Sequence, residues 1–160
     1  MKNIIWRDDD VGADTKLETL QAVDDVFQMH KKRHTIAVIA AGLYERPDLI
    51  NLIRERSMLV QLHCWQHDDL SQDQAARLEL ERAVDLLERL FNRPTVLYPP
   101  WNRTSPELEE TAARLGLTIS TEKISLSQYV RHSGDVSENV VNFHHWHVPD
   151  AILLDRALAL

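Results

Sequence analysis

Short apolar runs alternate with amphipathic stretches of helical period along most of this chain, and that alternation constrains its fold more than any other feature. "NIIWR" (3–7), "HTIAVIAAG" (34–42), "MLVQLH" (58–63), "TVLYPP" (95–100) and "VVNFHHWHV" (140–148) read as strands, with "LTIS" (117–120) as a short further one. "HTIAVIAAG" is apolar at both parities, as a strand covered on both faces must be. The helical stretches between the runs carry start and stop signals. Thr15 with Glu18 predicts a capping box, and Leu17, Leu20, Val23 and Phe27 follow on one face. Pro47 opens a second helix. Ala76, Leu80, Ala83, Val84, Leu87, Leu90 and Phe91 mark a third. Ser105, Pro106 and Gly116 bracket a fourth, and "DAILLDRALAL" closes the chain as a fifth. Residues 122–139 lack a period and read as loop. Strands alternating with helices predict the α/β class, with a parallel sheet covered by helices; the pattern alone leaves open sheet and barrel as alternatives.

The 160 residues have the length of one domain, and residues 1–160 show no repeat, linker or low-complexity segment. With 44% hydrophobic and 27% charged residues, the composition is that of a soluble globular protein. A net charge of -7 argues against a nucleic-acid partner, which needs a basic face. No stretch approaches a membrane span. The single cysteine, Cys64, cannot close an internal disulfide, and the apolar run after Met1 is too short for a signal-peptide core, so a cytoplasmic protein is expected. The oligomeric state is not legible.

In parallel α/β folds, sites gather at the C-terminal ends of the strands. Here those ends carry "RDDD" (7–10), "HCWQH" (63–67), "YPPWNR" (98–103) and "HHWH" (144–147). Each has an ordinary explanation on its own: a solvated turn, loop histidines, a rigid proline turn, a polar strand end. Their coincidence at strand ends of one chain favours a shared pocket of carboxylates and imidazoles. Cys64, next to His63, should point to the opposite side as a buried thiol, and Asp68 and Asp69 suit a cap of the next turn.

"RDDDVG", "HCWQH", "YPPWNR" and "FHHW", in this order, resemble the polysaccharide deacetylase family, the NodB-like enzymes of carbohydrate esterase family 4, over nearly the whole chain. The resemblance implies a distorted parallel (β/α) barrel. It implies Asp9 as catalytic base and Asp10, His63 and His67 as metal ligands, with an Asp8–Asp9 register as the alternative. It implies His145 as general acid, with His144 as the second choice. Tyr98, Pro100, Trp101 and Arg103 would line the substrate groove, and Trp65 with Trp101 could stack on a sugar ring. The expected metal is zinc, with cobalt, nickel and manganese as alternatives. The implied reaction removes an N-acetyl or similar acyl group from an amino sugar or other amide, with a small molecule or oligosaccharide as substrate.

The chain departs from the family pattern in three ways. Tyr98 stands where the family has an arginine that orients the base; Arg7 or Arg103 would have to replace it. The family's later Asp- and Trp-containing segment is not apparent, with Asp135 as its weak counterpart. The interval from Pro100 to His145 is short, so the barrel is expected to have lost or reduced one or two βα units and to hold fewer than seven strands. These departures keep a second reading open: a metal- or carbohydrate-binding relative with impaired catalysis. The chemistry itself is coherent without the family. Two imidazoles and a carboxylate leave an open position for water in a catalytic zinc site, and an adjacent aspartate can take that water's proton.

Overall fold

A computed structural model describes residues 3–137 and 139–160; Met1, Lys2 and Glu138 lie outside the described residues. Seven parallel strands form one sheet in the order β5-β4-β3-β2-β1-β7-β6. They are β1 (Ile5–Val11), β2 (Thr35–Ile39), β3 (Leu59–Cys64), β4 (Val96–Leu97), β5 (Thr118–Ile119), β6 (Ile124–Ser125) and β7 (Val140–Phe143). The helices are α1 (Leu17–Met29), α2 (Pro47–Glu55), α3 (Gln74–Leu90), α4 (Pro106–Arg114), α5 (Leu126–Arg131) and α6 (Val148–Leu158). The sheet curls into a half-barrel with helices outside. β5 and β6 are its two edges, yet only residues 120–123 join them. Five Cα steps reach at most about 18 Å, so the sheet must bend until its edges approach each other. All seven strands are present; the shortening falls on the β5–β6 connection, which has no helix.

Alternation along the strands separates two environments. Trp6, Ile36, Val38, Val60, Leu62, Cys64, Leu97, Val141 and Phe143 face the helices and are buried. They build two core clusters, one under α2, α3 and α4 and the other under α5 and α6. The opposite parity places Arg7, Asp9, His63, Tyr98 and Asn142 on the concave side, also buried. A polar interior is therefore enclosed by an apolar shell.

Several local expectations change. β1 continues through all three aspartates to Val11, because Arg7 and Asp8 pair with Asn142 and Phe143 of β7 and Val11 pairs with Val38 of β2. Thr15 does not cap α1; Lys16 holds that position without a side-chain bond. The Thr15 hydroxyl is drawn instead to the Gly12 N–H at 3.0 Å and to the His145 ring. Gly12 suits that turn, since a Cβ there would lie only 3.1 Å from Ile39 Cβ and 3.2 Å from its carbonyl oxygen. The stretch 122–139 contains β6 and α5, the latter started by a Ser125–Gln128 capping box. Its strand is too short to show a period. β7 ends at Phe143, and His144–His147 form a turn rather than more strand. Ser105 and Asp73 cap α4 and α3 through backbone N–H groups.

His34 sits in the second core, stacked on Phe27 at 4.5 Å. Burial, with the nearby His145 adding to it, pulls its pKa down to about 4. The Asp24 carboxylate at 3.8 Å acts the other way but is held by Arg56 and Gln28. An unfolded chain binds this proton near pH 6.5 and the folded chain only near 4. The neutral ring's contribution is thus complete above pH 6.5 and is lost as the pH falls towards 4, a loss on the order of 3 kcal/mol. Urea unfolding at pH 7 and pH 4.5 should show a smaller stability loss in His34→Phe than in the parent chain.

Candidate metal centre and active site

The site lies where β1, β3, β4 and β7 end. Three consecutive aspartates on a regular strand would alternate between two faces, but here they take three directions. β1 slips register against β2 between Asp8 and Val11, and Asp10 has a left-handed φ of 65°. Such a backbone costs on the order of 1 kcal/mol and concentrates at functional sites. Asp8 stays on the helix side with Trp6. Asp9 points into the half-barrel with Arg7. Asp10 is swung toward β3.

Asp10 Oδ1 lies 3.2 Å from His63 Nε2 and 3.2 Å from His67 Nε2. Asp10, His63 and His67 form a group able to hold a metal ion, one ligand atom from each lying within 4.8 Å of the others. The two histidines do not share a helix turn: His63 ends β3 and His67 is in the loop after it. The ring of His63 donates from Nδ1 to the Tyr98 carbonyl at 2.5 Å, because a carbonyl can only accept. In the neutral ring its Nε2 is then a lone pair, buried and without a hydrogen-bond partner, facing a carboxylate oxygen. A cation between the two would resolve that opposition, so the donor set fits a metal. Burial disfavours ionised Asp10, but the imidazoles around it, His63 first and then His67 and His144, outweigh that and hold the carboxyl below the usual range.

Asp9 accepts through Oδ2 from Arg7 Nη2 at 2.8 Å and from Asn142 Nδ2 at 2.8 Å. Its other oxygen, Oδ1, is buried and has no hydrogen-bond partner. Arg7 is fully buried, lies 4.7 Å from the Tyr98 ring centroid and also donates to Asn102 Oδ1 at 3.1 Å. Between the two arginines the sequence left open, Arg7 is the one beside Asp9. Arg103 is directed outward and pairs with Asp69 at 2.6 Å.

The two late histidines separate. His144 Nε2 lies 3.7 Å from Asp10 Oδ2. His145 is buried on the helix side, its ring on Asp8 at 3.1 Å and on Thr15 at 3.3 Å. The reason is parity. Phe143 and His145 do share one side, but it is the side packed against α1, where Phe143 lies 5.7 Å from Phe27. Asn142 and His144 take the concave side. Asp150 of α6 accepts from the His144 N–H at 3.0 Å and lies 3.9 Å from its Nδ1. Asp135 sits between α5 and β7, exposed, with its N–H bonded to the His132 carbonyl.

Trp101 is 55% exposed, with its ring 4.7 Å from that of His67, and both Trp101 and Asn102 have positive φ. Tyr98 and Pro100 are buried beneath it. Trp65 stands apart from this wall, covered by Arg82 of α3 at 4.0 Å from its ring. Cys64 is buried on the helix side, and burial together with the nearby aspartates pushes its thiol pKa up. Asp69 accepts from the Ser71 N–H and hydroxyl in the turn before α3. Sequence reasoning missed Asn142 and Asp150. Asn142 was findable as the residue two before His144 on the same strand face; Asp150 carried no local signal. A separate cavity of about 670 Å³ lies at the opposite end of the strands, beside Ile5, Trp6 and Leu59, and among the described residues no Asp, Glu or His side chain lines it.

The family model for polysaccharide deacetylase matches residues 8–120. The chain belongs to the polysaccharide deacetylase family. Its fold is also that of solved family members. A family 4 carbohydrate esterase from Streptomyces lividans, solved with acetate, superposes with a TM-score of 0.83 at 16% identity, over 99% of this chain and 86% of that one. The peptidoglycan deacetylase PdaC from Bacillus subtilis gives 0.79 at 18%, over 99% and 82%. A family 4 pseudoenzyme from Bacillus anthracis gives 0.80 at 13%, over 99% and 61%. A search of curated proteins finds no match. Among the described residues, no helix is long and apolar enough to cross a membrane.

Zinc titrated into metal-free protein should bind at about one equivalent. His63→Ala or Asp10→Asn should weaken it roughly 100-fold or more, while Asp8→Asn should not. Loss of zinc binding in Asp9→Asn would restore the alternative aspartate register.

Proposed function

We propose that this polysaccharide deacetylase family member is a metal-dependent hydrolase that removes an N-acetyl or similar acyl group from an amino sugar or related amide. The observation that carries the reading is the placement of Asp9. One of its oxygens is tied to Arg7 and Asn142 while the other is left without a partner beside the Asp10–His63–His67 group. Zinc is the expected metal, with cobalt, nickel and manganese as alternatives; held by those three residues, it would polarise the acyl carbonyl and acidify a water.

The chain's own residues account for the proton movements. Asp9 Oδ1 accepts the proton of the attacking water, and Arg7 holds the carboxylate in orientation through Oδ2. His144, on the metal side, donates a proton to the leaving nitrogen, and Asp150 anchors its backbone N–H. This assignment moves the acid from His145 to its neighbour. The backbone N–H of Trp101 would stabilise the developing oxyanion. The exposed Trp101 ring offers a sugar a stacking surface, with buried Tyr98 and Pro100 fixing the loop. The peptidoglycan deacetylase among the structural neighbours supports an amino-sugar polymer as substrate.

Acetate release from N-acetylglucosamine oligomers by the zinc-loaded protein tests the reading. Asp9→Asn and His144→Ala should each lower kcat by roughly 10²–10⁴-fold with zinc retained. The pseudoenzyme neighbour raises the alternative of a binding protein without turnover. Stoichiometric zinc with no acetate released from any N-acetylated glycan would establish that alternative.

A further inference from the structure

We propose that the buried Asp8–His145–Thr15 cluster is a positioning clasp, in which one imidazole ring registers the base, the third metal ligand and the acid of the site. The inference rests on the catalytic assignment above.

His145 donates twice to Asp8 Oδ1, from its backbone N–H at 2.9 Å and from ring Nδ1 at 3.1 Å. With Nδ1 carrying the proton, the neutral ring accepts at Nε2 from the Thr15 hydroxyl, 3.3 Å away. That hydroxyl also accepts from the Gly12 N–H, and the Thr15 N–H returns to the Gly12 carbonyl, both at 3.0 Å. His145 therefore grips the chain immediately before Asp9 and shortly after Asp10. The segment between these anchors contains the positive φ of Asp10. His145 is itself the next residue after His144. Displacing this ring would move Asp9, Asp10 and His144 relative to one another.

Packing alone does not account for the cluster. Asp8 and His145 extend the helix-facing side formed by Trp6, Val141 and Phe143, which is otherwise apolar. Asp8 is fully buried, and its Oδ2 has no hydrogen-bond partner. Replacing a buried polar pair by apolar residues of similar volume is commonly neutral or stabilising. A directional bond, unlike an apolar contact, fixes the position of the strand end.

The test uses the full chain at saturating zinc with N-acetylglucosamine oligomers. Asp8→Leu and His145→Phe remove the clasp; Asp8→Asn keeps an acceptor for both His145 N–H groups; Thr15→Val removes only the Nε2 contact. We expect kcat to fall about 10- to 100-fold in the first two, with KM within about twofold; each also leaves its partner unpaired in the interior, so the melting temperature falls in both. Asp8→Asn should stay within about threefold of the parent, and Thr15→Val should fall between. Unchanged kcat in Asp8→Leu, or Asp8→Asn as impaired as Asp8→Leu, overturns the proposal. If the apolar variants do not fold, Thr15→Val with parental kcat overturns it. A second readout needs no turnover. ¹⁵N spectra of the histidine rings should show His145 protonated at Nδ1 and the His144 signals shifted in Asp8→Leu. Absence of acetate release by the parent chain would defeat the catalytic assignment alone, whereas unshifted His144 signals would defeat the clasp.

Discussion

Three adjacent carboxylates cannot occupy one environment, and the way β1 separates them governs the rest of the site. Like charges a few ångströms apart repel strongly in a low-dielectric interior. The chain meets this with a register slip and a left-handed residue, so Asp8, Asp9 and Asp10 face different partners. Asp8 meets His145, Asp9 meets Arg7 and Asn142, and Asp10 meets His63 and His67. Apart from Arg7, two residues before Asp9 on the same strand, each partner comes from a distant part of the chain. The site can therefore form only when β1, β3 and β7 are in register.

The polar interior has a cost, which the surrounding shell offsets. Arg7 is fully buried with Nε and Nη1 unbonded, and Asp9 and His63 each keep an atom without a partner. Unpaired buried groups of this kind are unfavourable unless a ligand, ion or water completes them. The helix-facing sides of the same strands are almost uniformly apolar, apart from Asp8 and His145. That burial stabilises a barrel whose centre is arranged for chemistry. The missing family arginine is no gap in this light: Arg7 reaches Asp9 from two residues upstream, and Tyr98 lies over its guanidinium.

The strands, most helices and the members of the Asp10–His63–His67 group were legible locally. Apolar runs and caps mark elements without reference to the rest of the fold, and Asp10, His63 and His67 lay at strand ends. What failed were inferences about which side a residue takes. Phe143 and His145 were rightly placed on one side, but nothing in "FHHW" says whether that side faces helix or pocket. Trp65 and Arg103 stood inside motifs yet were drawn to Arg82 and Asp69. Thr15 matched a capping box but was claimed by His145. Side-chain partners from remote strands outcompeted local pairings in each case.

By itself, the sequence determined an α/β chain with alternating strands and helices, because periodicity and capping act over a few residues. It also determined that carboxylates, imidazoles and aromatics would collect at strand ends, since parallel strands present those ends together. Only the tertiary structure decided that the sheet curls until a four-residue link joins its edges. It also decided which of two adjacent histidines meets Asp10 and which arginine holds Asp9. Those choices depend on the parity of β7 against β1, paired across more than a hundred residues, and on the irregularity at Asp10, where β1 slips against β2.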